Sequence, residues 1–165
     1  MSVFYYHQDD INTDLLFPGK YTYQCSSGPE IKEHLFEDLD PTFKEKVQPG
    51  DVVMAGENFG CGSSREQPVV GLKYLGVKAV IACSFARIFY RSAINQGLLL
   101  IACPEAVAAY AEGDEVDVNP TEGKVKVGDR TFEFPPLPDE IMEILEDGGL
   151  LSHLRKTYGR TGSEE

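Results

Sequence analysis

Residues 51–102 constrain the fold more than any other part of this sequence. Three short runs, Val52-Val53-Met54-Ala55, Ala79-Val80-Ile81-Ala82-Cys83 and Leu98-Leu99-Leu100-Ile101-Ala102, are apolar almost throughout, and the segments between them have helical spacing. Strands with one face in water alternate apolar and polar residues, so runs like these imply a parallel sheet covered on both faces. The spacing predicts a strand over 51–55, a glycine-rich loop over 56–62 and a helix over 64–75. It then predicts a strand over 77–83, a helix over 86–95 closed by Gly97, and a strand over 98–102. This is a βαβαβ core, and the fold class is α/β.

Simpler elements flank that core. Residues 9–20 (DDINTDLLFPGK) read as an acidic loop that turns back sharply. Residues 29–39 place Ile31, Leu35, Phe36 and Leu39 at helical spacing behind Pro29, which predicts a short amphipathic helix. After Pro104, alternating pieces over 115–118, 124–127 and 131–134 are separated by Asn-Pro, Glu-Gly and Gly-Asp turns, the pattern of a small antiparallel meander. Helices over 137–146 and 150–158, joined at Gly148-Gly149, close a single domain of residues 1–158. Residues 159–165 form a polar tail expected to fray.

Charge narrows the choice of partners. With 15 Lys and Arg against 27 Asp and Glu, the formal charge is −12. Such a balance opposes phosphate backbones and anionic membrane surfaces. No run approaches the length of a membrane span, and residues 1–7 lack the basic and apolar regions of a signal peptide, so the expected compartment is the cytoplasm. Cys25, Cys61, Cys83 and Cys103 show no C-x-x-C spacing and no metal signature. Cys83 and Cys103 end apolar runs, where a free thiol behaves as a small buried hydrophobe.

The chemistry concentrates in Gly56-Glu57-Asn58-Phe59-Gly60-Cys61-Gly62-Ser63-Ser64-Arg65-Glu66, between a strand and a helix. Its glycines permit close backbone approach, and a following helix offers unpaired N–H groups to an anion. Either Ser63 or Ser64 is a suitable N-cap, and Arg65 in a first helical turn is better placed for an anionic ligand than for the helix. The spelling fits neither a P-loop, which needs Gly-Lys-Ser/Thr, nor a dinucleotide fingerprint, which needs a third glycine where Arg65 stands. A nucleophile elbow also fails, because neither serine is flanked by the required glycines and the histidines are His7, His34 and His153. A redox role for Cys61 lacks a resolving cysteine nearby in sequence.

Three separated motifs together resemble a known family. They are Asp10-Ile11-Asn12-Thr13-Asp14, Gly56 to Glu66, and Ala79-Val80-Ile81-Ala82-Cys83-Ser84-Phe85-Ala86-Arg87-Ile88-Phe89-Tyr90-Arg91. In this order they resemble the small subunits of the 3-isopropylmalate dehydratase and homoaconitase type, in which the aconitase swivel domain is a separate chain. The likeness runs over residues 9–154 and implies a swivelling β/β/α domain. It implies a reversible dehydration and rehydration that moves a hydroxyl between adjacent carbons of a malate-type acid. A large partner subunit would supply a [4Fe–4S] cluster, and this chain would bind no metal itself. By the same resemblance Ser63 is the base that removes the carbon-bound proton, and Gly62, Ser64, Arg65, Thr22 and Tyr23 bind substrate.

Some roles stay open at this level. Asp10 and Asp14 either orient the serine loop or cap a turn. Arg87 and Arg91, four residues apart, share a helical face toward either an acidic partner or the chain's own acidic exterior. After Pro18-Gly19, homoaconitase-like members carry an arginine that grips an extra carboxylate, and its position falls on Tyr23 in Lys20-Tyr21-Thr22-Tyr23-Gln24. A tyrosine ring packs on an alkyl group instead, which favours isopropylmalate. Homoaconitate, through Lys20, or 2,3-dimethylmalate, through a smaller pocket, remain alternatives. A module that binds an anion without turning it over is the competing class.

Overall fold

A computed structural model describes residues 2–163. In chain order its elements are β1 (Val3–Tyr6), α1 (Thr13–Leu16), a 3-10 turn (Gly19–Tyr21), α2 (Gly28–Lys32), α3 (Phe43–Lys46), β2 (Val52–Ala55), α4 (Gln67–Tyr74), β3 (Ala79–Ala82), α5 (Arg87–Gln96) and β4 (Leu99–Ala102). They continue as α6 (Pro104–Ala109), β5 (Val116–Asn119), β6 (Lys124–Val127), β7 (Arg130–Glu133), α7 (Asp139–Glu146) and α8 (Leu150–Ser163). Among the described residues the strands form two sheets. One is parallel, in the order β1-β2-β3-β4, and the other is the antiparallel meander β5-β6-β7.

The period of two in a strand explains the layers. Val53, Ala55, Val80, Ala82 and Leu100 face a core built with Ile31, Leu35, Val69, Leu72 and Phe89 of the helical side. Val52, Met54, Ala79, Ile81 and Ile101 face the other way, onto Ala106, Val107 and the inward residues Val116, Val118, Val125 and Val127 of the meander. Meander, parallel sheet and helices therefore stack as β/β/α, and every residue of β2 and β3 is buried. That double burial is why both strands read as continuous apolar runs.

The structure revises several sequence expectations. β1 extends the parallel sheet through Val3↔Val52 to Tyr6↔Ala55 and was not anticipated. The helix expected over 29–39 ends at Lys32. Its chain then turns, because the Phe36 amide donates to the Leu16 carbonyl at 2.7 Å and Phe36 takes a left-handed backbone (φ 61°). α6, which was not anticipated, begins at Pro104, a residue that suits a first helical turn. α8 continues past residue 158 to Ser163, and the last two residues of the expected tail, 164 and 165, lie outside the described residues.

Gly97 joins two parts of this arrangement. It ends α5 in the left-handed region (φ 88°), and a Cβ there would lie 2.6 Å from the Gly148 carbonyl carbon in the turn between α7 and α8. Gly97→Ala is therefore expected to destabilise the fold by more than about 1 kcal/mol. Thermal unfolding followed by circular dichroism should show a fall in midpoint of at least about 2 °C. An unchanged midpoint would show that the α7–α8 turn yields at no cost.

Candidate active site

The glycine loop leaves the carboxyl end of β2 and is held between two other segments. On one side the Gly60 amide donates to the Ile11 carbonyl and the Thr13 amide to the Cys61 carbonyl, both at 2.8 Å. On the other side the Phe59 amide donates to the Ser84 carbonyl at 3.1 Å and the Ala86 amide to the Phe59 carbonyl at 3.0 Å. Isolated parallel bridges Asn12↔Cys61 and Phe59↔Phe85 continue the sheet's pairing into this region. All three motifs thus meet outside the carboxyl ends of parallel strands, where open α/β sheets bind ligands.

Ser63 and Ser64 do not cap the next helix, contrary to the sequence reading. α4 begins only at Gln67, with Glu66 at its N-cap and Pro68 in its first turn, so Ser63, Ser64 and Arg65 remain in the loop. The loop is tethered before the helix starts: the Thr13 hydroxyl donates to the Ser63 carbonyl at 2.9 Å. Arg65 is not in a first helical turn either. Its Nη1 donates to Asp14 Oδ1 at 2.5 Å and to the Phe17 carbonyl at 3.1 Å, while Nη2 lies so near Gly19 that a Cβ there would approach it to 2.8 Å. The side chain is only 14% exposed, so the ion pair fixes its direction.

Gly62, Ser63, Ser64 and Arg65 line one wall of a cavity of about 290 Å³, together with Thr13. The facing wall is the start of α5, with Ala86, Arg87, Ile88, Phe89 and Ser92. The helix terminus at this site therefore belongs to α5 rather than to α4. Its N-cap is Ala86, which has no side chain able to cap, so the first-turn amides remain available. Arg65 has its charge balanced by Asp14, whereas Arg87 forms no ion pair among the described residues. The two serines are exposed at the mouth.

Thr13, Arg87 and Ser92 are lining residues that the sequence reading did not assign to the site. Thr13 stands inside the Asp-Ile-Asn-Thr-Asp motif, which was the available signal. Asn12 caps α1 by accepting from the Leu15 amide at 2.9 Å. Asp14 orients Arg65, and Asp10 accepts from Asn58 Nδ2 at 2.9 Å, bracing the glycine loop. Both aspartates thus hold the loop.

Thr22 and Tyr23 lie on the adjoining turn and do not line this cavity. The Thr22 hydroxyl donates to the Gly19 carbonyl at 2.8 Å, and its own carbonyl accepts from Gln67 Nε2 at 3.0 Å. Tyr23 is fully exposed, and the Lys20 ammonium stands 5.1 Å from the centre of the Tyr21 ring. The histidines are elsewhere: the His7 ring lies tilted against Tyr5, His34 stacks on Tyr21, and His153 bonds to Asp147.

The cysteines are free and differ in burial. Burial pushes the Cys25, Cys83 and Cys103 thiols up, away from the reactive thiolate. Cys103 is buried as expected, while Cys83 is only half-buried. Among the described residues no three His, Cys, Asp or Glu side chains converge in a group that could hold a metal ion. No helix among the described residues is long and apolar enough to cross a membrane.

The chain has clear relatives among known proteins. The family model described as Aconitase C-terminal domain matches residues 9–106. The 3-isopropylmalate dehydratase small subunit 1 of Methanopyrus kandleri is 47% identical over 150 residues, spanning 90% of this chain and 88% of that one. Small subunit 2 of Archaeoglobus fulgidus is 47% identical over 151 residues, spanning 90% of each. A crystal structure of 3-isopropylmalate dehydratase from Methanocaldococcus jannaschii superposes with a TM-score of 0.86 at 39% identity, covering 99% of this chain and 97% of that one.

Proposed function

The chain belongs to the aconitase C-terminal domain family and, within it, to the 3-isopropylmalate dehydratase small subunits, and from that membership we propose how its half of the active site works. It is a subunit of a hydro-lyase that interconverts 2-isopropylmalate and 3-isopropylmalate by dehydration and rehydration, a step of leucine biosynthesis. The small-subunit membership implies a large-subunit partner, and we assign to that partner a [4Fe–4S] cluster, which supplies Lewis-acid chemistry toward the departing hydroxyl. The active form is the two-chain complex. This reading favours isopropylmalate over homoaconitate or dimethylmalate.

The observation that carries this chain's role is the meeting of Gly62, Ser63, Ser64 and Arg65 with Arg87 around one open cavity. Ser63, as an alkoxide, takes the proton from the carbon beside a substrate carboxylate, and the electron pair moves onto that carboxylate. Arg65, aimed by Asp14, grips the developing charge through guanidinium edges not used in holding the loop. Ser64 and the Gly62 backbone hold the same end of the substrate. As hydroxide leaves the neighbouring carbon a double bond forms, and addition of water in the opposite sense completes the isomerisation. A serine alkoxide is costly in water, and the cations Arg65 and Arg87 with the first-turn amides of α5 lower that cost.

The test is reconstitution. Purified separately, neither chain is expected to turn over isopropylmalate, and the mixture should do so. Turnover by this chain alone, or an inert mixture with an intact cluster, would overturn the reading.

Substrate choice rests on the turn beside Arg65. Tyr23 is exposed on that turn, where its ring is free to pack on an alkyl side chain, and the Lys20 ammonium stands over the Tyr21 ring. Tyr23→Arg is expected to raise kcat/KM for homoaconitate relative to isopropylmalate by about tenfold or more, as a new carboxylate partner would. A ratio unchanged within twofold would remove Tyr23 from the specificity turn.

A further inference from the structure

Arg87 and Arg91 project from one face of α5 beside a second cavity, of about 500 Å³, which shares only Arg87 with the one already described. Its floor is apolar, built by Phe85, Tyr90 and Ile94 with Ile141 of α7. Both arginines are exposed, and among the described residues neither forms an ion pair. In a chain with 27 Asp and Glu that is informative, because none of the described carboxylates pairs with them. An apolar floor edged by two cations one helical turn apart matches a segment that presents an apolar side chain between two carboxylates.

The position of the groove selects the occupant. Arg87 lines both cavities, so the groove opens directly beside the mouth at which Ser63 and Ser64 are exposed. Whatever lies in the groove borders that mouth. A second copy there would carry another charge of −12 to the same face and stand where the large subunit must approach. We propose that the groove between α5 and α7 receives an acidic and apolar segment of the large subunit, continuous with the contact that closes the active site. The inference rests on the reading of this chain as one half of a two-chain hydro-lyase.

Arg91 provides the test because it lies in the groove and outside the active-site cavity. The dissociation constant between this chain and the reconstituted large subunit should rise by about tenfold or more for Arg91→Glu and by less for Arg91→Ala. Added salt should weaken the wild-type pair more than the Arg91→Ala pair. Turnover of isopropylmalate at saturating Arg91→Glu chain should return to near the wild-type value. A photo-crosslinking residue at Asn95, on the exposed rim, should capture the large subunit. Wild-type affinity for Arg91→Glu, or capture of a second copy at Asn95, overturns the groove assignment while leaving the enzymatic reading intact. A wild-type chain that neither binds nor activates the large subunit overturns both.

Discussion

Ser63→Ala is expected to leave the two-chain complex assembled while lowering its turnover by roughly three orders of magnitude, the loss that removal of an essential base brings. Ser63 is exposed at the mouth of the cavity, and the loop there is held by its backbone. The Thr13 hydroxyl bonds to the Ser63 carbonyl, which alanine retains. The substitution therefore removes one hydroxyl and little else, so affinity for the large subunit and the unfolding midpoint should stay at wild-type values. Loss in kcat with KM nearly unchanged would mark a group needed in the transition state. Residual turnover within tenfold of wild type would make Ser63 a wall of the cavity only.

Arg65→Lys is the second large effect, with an expected loss of about a hundredfold in kcat/KM. The guanidinium has two duties at once. One nitrogen holds Asp14 and the Phe17 carbonyl, and the remaining edges are left for a carboxylate. A lysine ammonium keeps the charge but lacks the planar fork, so pairing with Asp14 draws it away from substrate. Retention of the complex with both kcat and KM within threefold would show that charge alone suffices. Comparison with Asp14→Asn separates aiming from binding, since that variant keeps the fork and loses its anchor.

Much of this arrangement was legible in the sequence because two physical signals were strong. β2 and β3, buried throughout, and β4, buried at its centre, leave continuous apolar runs, so these strands and the helices between them could be located, and the meander declared itself by alternation and turn residues. β1 carried neither signal, since its four residues are all half-buried. The start of α4 was misread for a specific reason. Ser63-Ser64 is good N-cap chemistry, but tethering by Thr13 and the first-turn fit of Pro68 place the helix start at Gln67. The helix terminus at the site consequently comes from α5, which only the fold brings across the cavity from the glycine loop. Likewise the common face of Arg87 and Arg91 followed from spacing, whereas the absence of an ion pair to either among the described residues required the structure.

The most direct measurement is a substrate panel on the complex. This chain and its large subunit, reconstituted anaerobically with iron and sulfide, are offered isopropylmalate, citrate, homocitrate and dimethylmalate in parallel. Isopropylmalate should be isomerised with the highest kcat/KM, and omission of this chain should abolish that turnover. Preference for a tricarboxylate would contradict the substrate assignment, and undiminished turnover by the large subunit alone would contradict the placement of half the active site on Ser63, Ser64 and Arg65.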